Sequence, residues 1–426
     1  MILLLLIIFL VVMFIGVPIG FAMGFASICG FFVLGGNISI ISTKLVTGID
    51  NFTFVAIPFF ILAAELMSYG EITIRIVDFS NKLVGHITGG LAHVNVLGSL
   101  FFGGISGAAS ADIAGPGKIE FEMMTKAGFK RDFSAAVTAA SAVLAPIIPP
   151  SLIMIMYCVV AGNLSVTAMF LGGIIPGILI AISLMMICYI IAKKNNFPKE
   201  PKFAGIKKVV KSFYRMFPAI FMPILMMGGI LSGVFTPTES AVVSVIYAIL
   251  VSTFVLKTMS WKKFYICIIK TAKATSNIMF MIAIAAAMGW VIMTLRVPQK
   301  VSEFIMKFAN SQLSFLFYSN ILLLIIGTMV DMGPAVLIMT PILLPTAMKF
   351  GLSPIHFGLV LIINLCIGLI TPPVGMILFV SANVLNINLS RLYKAIIPFI
   401  FAEIAVLIIV TYVPWVTTFI PKALGY

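Results

Sequence analysis

One arrangement of charged, glycine and proline residues occurs twice in this chain, in the same order, with the copies 223 to 225 residues apart. The first copy reads Arg75-x-x-Asp78-Phe79-x-x-Lys82, then Gly103-Gly104-Ile105-Ser106 with Asp112 beyond, then Ile147-Ile148-Pro149-Pro150-Ser151. The second reads Lys300-x-x-Glu303-Phe304-x-x-Lys307, then Gly327-Thr328-Met329-Val330-Asp331, then Leu369-Ile370-Thr371-Pro372-Pro373-Val374. Landmarks kept in order at nearly one offset mark a duplicated unit, expected over 1–192 and 216–426 with a basic linker at 193–215. Glycines and tandem prolines break helices. Inside apolar sequence, the freed backbone groups are tolerated only where they face protein or a watery cavity. Broken segments paired in two halves point to the binding site of a transporter.

The surrounding sequence is membrane-grade. With 62% hydrophobic and 9% charged residues and a mean hydropathy of +1.21, the chain cannot dress a single core in a solvated surface. A crossing helix needs about 20 apolar residues. Charge-free runs predict spans near 2–16, 19–36, 52–69, 133–162, 166–192, 216–235, 240–256, 276–295, 355–386 and 395–416. The stretches 88–124 and 312–348 are too long for one span and are interrupted at their middles, so each is expected to be a re-entrant hairpin. The segments 71–85 and 296–310 alternate apolar and charged residues at helical spacing, which predicts an interfacial arm before each hairpin. Cys29, Cys158, Cys188, Cys267 and Cys366 stand singly in apolar runs, without metal or disulfide spacing. Residues 1–16 lack a basic leader and a small-residue cleavage site, so they are expected to be a true span.

The net charge of +14 would suggest nucleic acid in a soluble protein; here lysine and arginine more naturally mark cytoplasmic loops, and no nucleic-acid partner is expected. With the N-terminus outside, twenty basic residues fall on the cytoplasmic side, including the linker run Lys193, Lys194, Lys199, Lys202, Lys207, Lys208, Lys211 and Arg215. Six fall outside: Lys44, Arg296, Lys300, Lys307, Lys349 and Lys422. Both termini are therefore expected outside, in the periplasm. The linker is expected to meet anionic membrane lipid. Each half crosses five times, an odd number, so the second copy lies upside down. One hairpin opens to the cytoplasm and its twin to the outside, as alternating access requires.

The breaks supply the chemistry. A tip with Gly103, Gly104, Ser106 and Gly107, set against a helix broken at Ala145-Pro146-Ile147-Ile148-Pro149-Pro150, exposes carbonyl oxygens without a full charge, an environment suited to sodium (Na+). Gly327, Thr328 and Asp331 facing Gly368, Thr371, Pro372 and Pro373 repeat it, so two sodium sites are expected. A proline pair also serves simply as a packing kink. Asp112 and Asp331 are ionisable at membrane depth, where such residues are costly; either would hold a cation, orient a substrate hydroxyl or carry a proton. Lys118 and Glu122 share a helix face as a compensated pair, unless Lys118 meets a substrate carboxylate. Arg296 offers a planar fork for a carboxylate or snorkels at a helix end. The sequence carries no HExxH, GxSxG or P-loop motif, so no enzyme is expected.

These residues resemble the large membrane subunit of the tripartite ATP-independent periplasmic (TRAP) transporters. The likeness is carried by Gly103-Gly104-Ile105-Ser106-Gly107 with Asp112, by Ala127-Gly128-Phe129, by Pro146-Ile147-Ile148-Pro149-Pro150-Ser151 and by Phe235-Thr236-Pro237-Thr238-Glu239-Ser240-Ala241. Met332-Gly333-Pro334, Pro341-Ile342-Leu343-Leu344-Pro345 and Asn364-Leu365-Cys366-Ile367-Gly368-Leu369-Ile370-Thr371-Pro372-Pro373-Val374-Gly375 complete it. The resemblance implies an all-α polytopic membrane protein of the ion-transporter superfamily type: an inverted-repeat elevator with two re-entrant hairpins and two broken helices. It implies uptake of an organic acid such as a C4-dicarboxylate, driven by sodium across the bacterial inner membrane. A periplasmic substrate-binding protein delivers the acid, and a small four-helix membrane subunit, absent from a chain beginning at Met1, is a separate partner. By the same resemblance Gly103, Ser106, Ala145, Ile148 and Pro150 form the first sodium site, and Gly327, Gly368, Thr371 and Pro373 the second. Ser106, Asp112, Pro150, Arg296 and Asp331 become substrate-cavity residues. The chain departs from the family pattern at Ala108 and at Ala114-Gly115-Pro116-Gly117-Lys118, where relatives carry hydroxyls, which favours a simpler carboxylate over sialic acid.

In this reading the first two spans of each half form a frame, and the hairpins and broken helices form the moving unit. The rival of the same kind is a proton-coupled or binding-protein-independent anion carrier using Asp112 and Asp331. Rivals of another class are an intramembrane enzyme and a channel.

Overall fold

A computed structural model of the chain describes residues 2–34, 38–68, 72–162, 164–199, 203–308 and 311–426. Gly35 and Gly36 of the second expected span, Tyr69 of the third, Glu71 and Asn310 at the arm ends, and Pro201 and Lys202 of the linker lie outside the described residues. Among the described residues the chain is helical with no strand.

The order of elements repeats. The arm Ile72–Val84 is followed by the hairpin limb Gly90–Ser106, a return limb ending in Lys118–Lys126, a helix in two pieces, Arg131–Ser141 and Leu152–Val160, and the long helix Val166–Asn195. The second arm Val297–Phe308 leads in the same order to Gln312–Met329 and Met332–Lys349, then Pro354–Gly368 and Met376–Leu385, then Leu389–Tyr412. Both arms are amphipathic, with Ile72, Ile76, Val77 and Phe79 buried on one and Val297, Pro298, Ser302 and Ile305 on the other. Lys82 pairs with Asp78 at 2.5 Å along the exposed side of the first.

Among the described residues seven helices are long and apolar enough to cross a membrane, or eight if the pair Ser39–Ile49 and Phe52–Ser68, bent by 60°, makes one span. Ten spans were expected. The difference has local causes: Ile2–Phe14 and Ile19–Val33 are too short alone, Ala56–Ser68 counts only within the bent pair, and proline breaks split 133–162 and 355–386 into short pieces, while the limbs Gln312–Met329 and Met332–Lys349 are each long enough. The expected linker is also largely helical. Val166–Asn195 and Ile206–Leu231 run into it, because Ser212 and Met216 find buried positions on a helix that begins before the apolar run.

Two groups of helices emerge from the packing. Ile19–Val33, Ile38–Ile49 and Ala56–Ser68 pack on Trp261–Thr294, and Ala56–Ser68 packs closely on Pro237–Leu250. The hairpins pack on the broken helices, Gly90–Ser106 on Arg131–Ser141 and Gln312–Met329 on Pro354–Gly368; Leu389–Tyr412 joins them by packing on Arg131–Ser141 and Val166–Asn195. The broken helices are among the most buried parts of the chain, with Phe357 to Gly368 all buried.

Candidate functional site

The site begins with two interrupted helices. After Leu144 the chain leaves helical geometry and resumes it at Leu152, since Pro149 and Pro150 have no N–H to continue the ladder. Ser151 restarts it: its Oγ accepts from the Met154 N–H at 3.3 Å and donates to the Pro146 carbonyl at 2.6 Å. Among the described residues no hydrogen bond reaches the carbonyls of Ala145, Ile148, Pro149 or Pro150. The second break spans 369–375, where Ile377 N–H donates back to the Leu369 carbonyl at 3.0 Å. The Pro149–Pro150 and Pro372–Pro373 bonds are both cis.

Each hairpin tip presses on a break through glycine. The first limb ends at Gly107, whose φ of 61° closes the helix as its N–H donates to Gly103 O at 2.9 Å. A Cβ on Gly103 would stand 2.9 Å from Ala145 Cα, and one on Gly107 3.1 Å from Pro150 O. In the second half, Gly327 meets Gly368, and the Gly375 N–H donates to the Thr328 carbonyl at 3.0 Å. Small residues four apart finish the first break: Gly173 leaves room for the Ile147 carbonyl and Gly177 for the Ile148 side chain.

Ser106 and Pro150 line a small void of about 10 Å³ with Ser151, Phe60, Met222 and Met226. The Ser106 Oγ is buried and has no hydrogen-bond partner among the described residues. Gly103, Ser106, Ala145, Ile148 and Pro150 are thus gathered at one place. Gly327, Gly368 and Thr371 gather at the second break, where the Thr371 Oγ1 donates to Ile367 O at 2.7 Å. The Pro373 carbonyl is exposed and already accepts from the Tyr393 hydroxyl at 2.7 Å.

The remaining expected residues are placed differently from one another. Asp331 stands half-buried at the second tip, at the start of Met332–Lys349 and beside the Met332 N–H. Arg296 is exposed at φ 53° between Trp261–Thr294 and the second arm, away from the Ser106 void. Asp112 does not line that void either. It is fully buried inside the first hairpin, accepting from the Ser99 Oγ at 2.6 Å. Glu120 is buried in the same hairpin against Gly98 of the first limb, with neither carboxylate oxygen bonded among the described residues. Lys118 and Glu122 are exposed, with no ion pair between them.

A polar pairing escaped the sequence reading. The Ser141 Oγ donates to Asn95 Oδ1 at 2.7 Å, fastening the first limb to the first broken helix, and Asn95 Nδ2 donates to Thr138 Oγ1 at 2.8 Å. Asn364 Nδ2 donates to Asn320 Oδ1 at 2.6 Å, and Asn320 Nδ2 to Thr411 Oγ1 at 3.1 Å. Asn95 and Asn320 are 225 residues apart, and Ser141 and Asn364 are 223 apart. These are the offsets of the repeat itself, a signal that aligning the two halves would have exposed.

Residues 6–416 match the family model of the DctM component of the tripartite ATP-independent periplasmic transporters. The chain is 38% identical over 416 residues to the sialic acid TRAP transporter large permease protein SiaM of Vibrio cholerae, covering 97% of each chain. It is 35% identical over 385 residues to the C4-dicarboxylate TRAP transporter large permease protein DctM of Pseudomonas aeruginosa, covering 90% of each. Its fold is similar to the crystal structure of the YdaH transporter of Alcanivorax borkumensis, with a TM-score of 0.63 over 89% of this chain and 88% of that one at 13% identity.

Proposed function

Because this chain belongs to the family of DctM components of tripartite ATP-independent periplasmic transporters, we propose that it uses a sodium gradient to drive uptake of a small organic acid by alternating access. Membership supplies the coarser role. The chain is a multi-pass large permease of the bacterial inner membrane and not an enzyme, and it works with a small permease and a periplasmic binding protein.

The sodium reading is carried by the first tip. A hydroxyl without a partner shares a void with Pro150, beside a break whose carbonyls accept no hydrogen bond among the described residues. Neutral oxygens grouped in this way suit a small hard monovalent cation. Gly103, Ser106, Ala145, Ile148 and Pro150 would hold one sodium ion; Gly327, Gly368, Thr371 and Pro373 would hold a second. Bound sodium would supply positive charge at the tip that favours a carboxylate nearby. The chain's own residues set the geometry: glycines bring each tip onto its break, prolines leave carbonyls free at the first break, and Phe60, Met222 and Met226 line the void with Ser106 and Pro150.

Both tips stop against the middle of a broken helix, which supports hairpins that enter and leave on one side of the membrane. With the basic residues on the cytoplasmic side, the first hairpin opens inward and the second outward, in an inverted repeat with both termini outside. Displacement of the hairpins and broken helices past the frame then exchanges the open side. The substrate is a carboxylate, a C4-dicarboxylate or a related acid, met by Ser106, Pro150 and Asp331 at the tips, with Asp112 and Arg296 acting from farther off. The sialic acid and C4-dicarboxylate named for the relatives are both carboxylic acids.

The test is reconstitution with the small subunit and a binding protein, followed by uptake of labelled C4-dicarboxylates and sialic acid with and without a sodium gradient. Uptake of one acid that collapses without sodium is expected. Uptake that follows pH and ignores sodium would replace this reading with a proton-coupled carrier, and currents far above carrier turnover would replace it with a channel.

A further inference from the structure

The return limb of the first hairpin has an unused face. Lys118, Glu122 and Lys126 recur every four residues along Lys118–Lys126, beyond the kink at Gly115, and form an exposed stripe. The stripe ends in a cleft of about 480 Å³ between this limb and the end of Met376–Leu385 of the other half, lined by Lys118, Glu122, Lys126 and Arg131. Three cations there face one anion.

Arg131 is held ready. Its guanidinium lies over the Phe121 ring at 5.3 Å, and Nη2 donates at 3.4 Å to the carbonyls of Leu385 and Asn386, at a helix C-terminus where a cation is favoured. Its other N–H groups have no partner among the described residues, and neither Lys118 nor Lys126 has an ion pair there. An arginine oriented by packing, with two lysines on the facing helix, suits a carboxylate, and the cleft volume lies in the range of small-molecule sites.

We propose that this cleft is a second carboxylate site, at the cytoplasmic mouth, that holds the organic acid after it leaves the hairpin tip. The cleft shares no lining residue with the Ser106 void and is separate from it. It joins residues of both halves, Lys118, Lys126 and Arg131 of the first and Asn386 of the second. The inference rests on the transport reading and on the inward orientation of the first hairpin.

Thr125 and Val384 line the cleft and report on its occupancy. In the full chain with its small subunit, reconstituted into phosphatidylcholine vesicles with the native cysteines replaced, Thr125→Cys and Val384→Cys are each labelled with a neutral maleimide. Millimolar succinate or sialic acid, against sodium chloride of equal ionic strength, is expected to slow labelling severalfold at either position. Lys118→Gln with Lys126→Gln in the same background is expected to remove that protection. Unchanged labelling at both positions overturns the proposal, as does protection that survives the double change. Protection by phosphatidylglycerol in the vesicles but by neither acid assigns the cleft to a lipid headgroup and also overturns it. An impermeant maleimide reaching the cleft from the periplasmic side overturns the cytoplasmic assignment. Sodium-driven uptake is read separately: protection without sodium coupling sinks only the earlier reading, and sodium coupling without protection sinks only this one.

Discussion

Gly327 and Gly368 meet backbone to backbone: a Cβ on Gly368 would stand 2.5 Å from the Cα of Gly327, and one on Gly327 would stand 3.1 Å from the Cα of Gly368. Neither neighbour is a flexible side chain that can move aside. Gly368→Ala is therefore expected to push the second tip off its break and to destabilise the chain by about 1–3 kcal/mol through overpacking. Gly289→Ala, with nothing within 4 Å of the added Cβ, is the control; it is expected to be neutral or stabilising by less than about 1 kcal/mol. Thermal unfolding of the purified proteins compares the two. An equal loss in both would mean that the contact is not tight.

Asn320 and Asn364 should behave as a coupled pair. Asn320→Leu leaves a buried amide of Asn364 without its 2.6 Å partner, at an expected cost of about 1–3 kcal/mol. In a double-mutant cycle the pair should show a coupling of roughly 0.5–3 kcal/mol. Asn95 with Ser141 is expected to give a coupling of the same sign, since the first half repeats the contact.

Ser106→Ala removes a hydroxyl that makes no hydrogen bond within the protein, so it should leave the amount of folded protein unchanged. If that oxygen holds sodium, the sodium concentration for half-maximal uptake rises about fivefold, the equivalent of about 1 kcal/mol. An unaltered sodium response would remove Ser106 from the site.

Glu120 is fully buried with no donor to either carboxylate oxygen among the described residues, an arrangement that costs stability whatever its protonation. Glu120→Met, similar in volume and without polar atoms, is expected to raise Tm in detergent, by an amount corresponding to about 1–4 kcal/mol. A lower Tm would show that the carboxyl has a stabilising partner.

The orientation has its own measurement. In intact cells producing a cysteine-free background, Lys422→Cys is expected to react with an impermeant maleimide and Lys199→Cys only with a permeant one. The reverse pattern would turn the whole topology over, because the charge asymmetry permits only one of the two.

Residues that act through their nearest neighbours were legible in advance. Pro149, Pro150, Pro372 and Pro373 break their helices wherever the chain goes, since a missing N–H is a property of the residue. Apolar runs commit the chain to a membrane, and the spacing of Arg75, Asp78 and Lys82 makes an amphipathic helix, because both depend only on local composition and period. The offset between the halves was likewise written in the residues. The course of 193–215 was not: Ile206–Leu231 starts inside the basic run because its buried side finds partners in distant helices.

What the sequence determined by itself, then, was a doubled, helical, membrane-borne chain with backbone opened at two matched places. Only the tertiary structure decided that the Gly327 tip lands on Gly368, that Asp112 turns to Ser99 and leaves the void to Ser106 and Pro150, and that Lys118 lines a cleft with Arg131 instead of pairing with Glu122. Those outcomes depend on side-chain direction and on contacts between residues far apart in the chain. Such contacts are settled by how whole helices pack, and no local pattern encodes them.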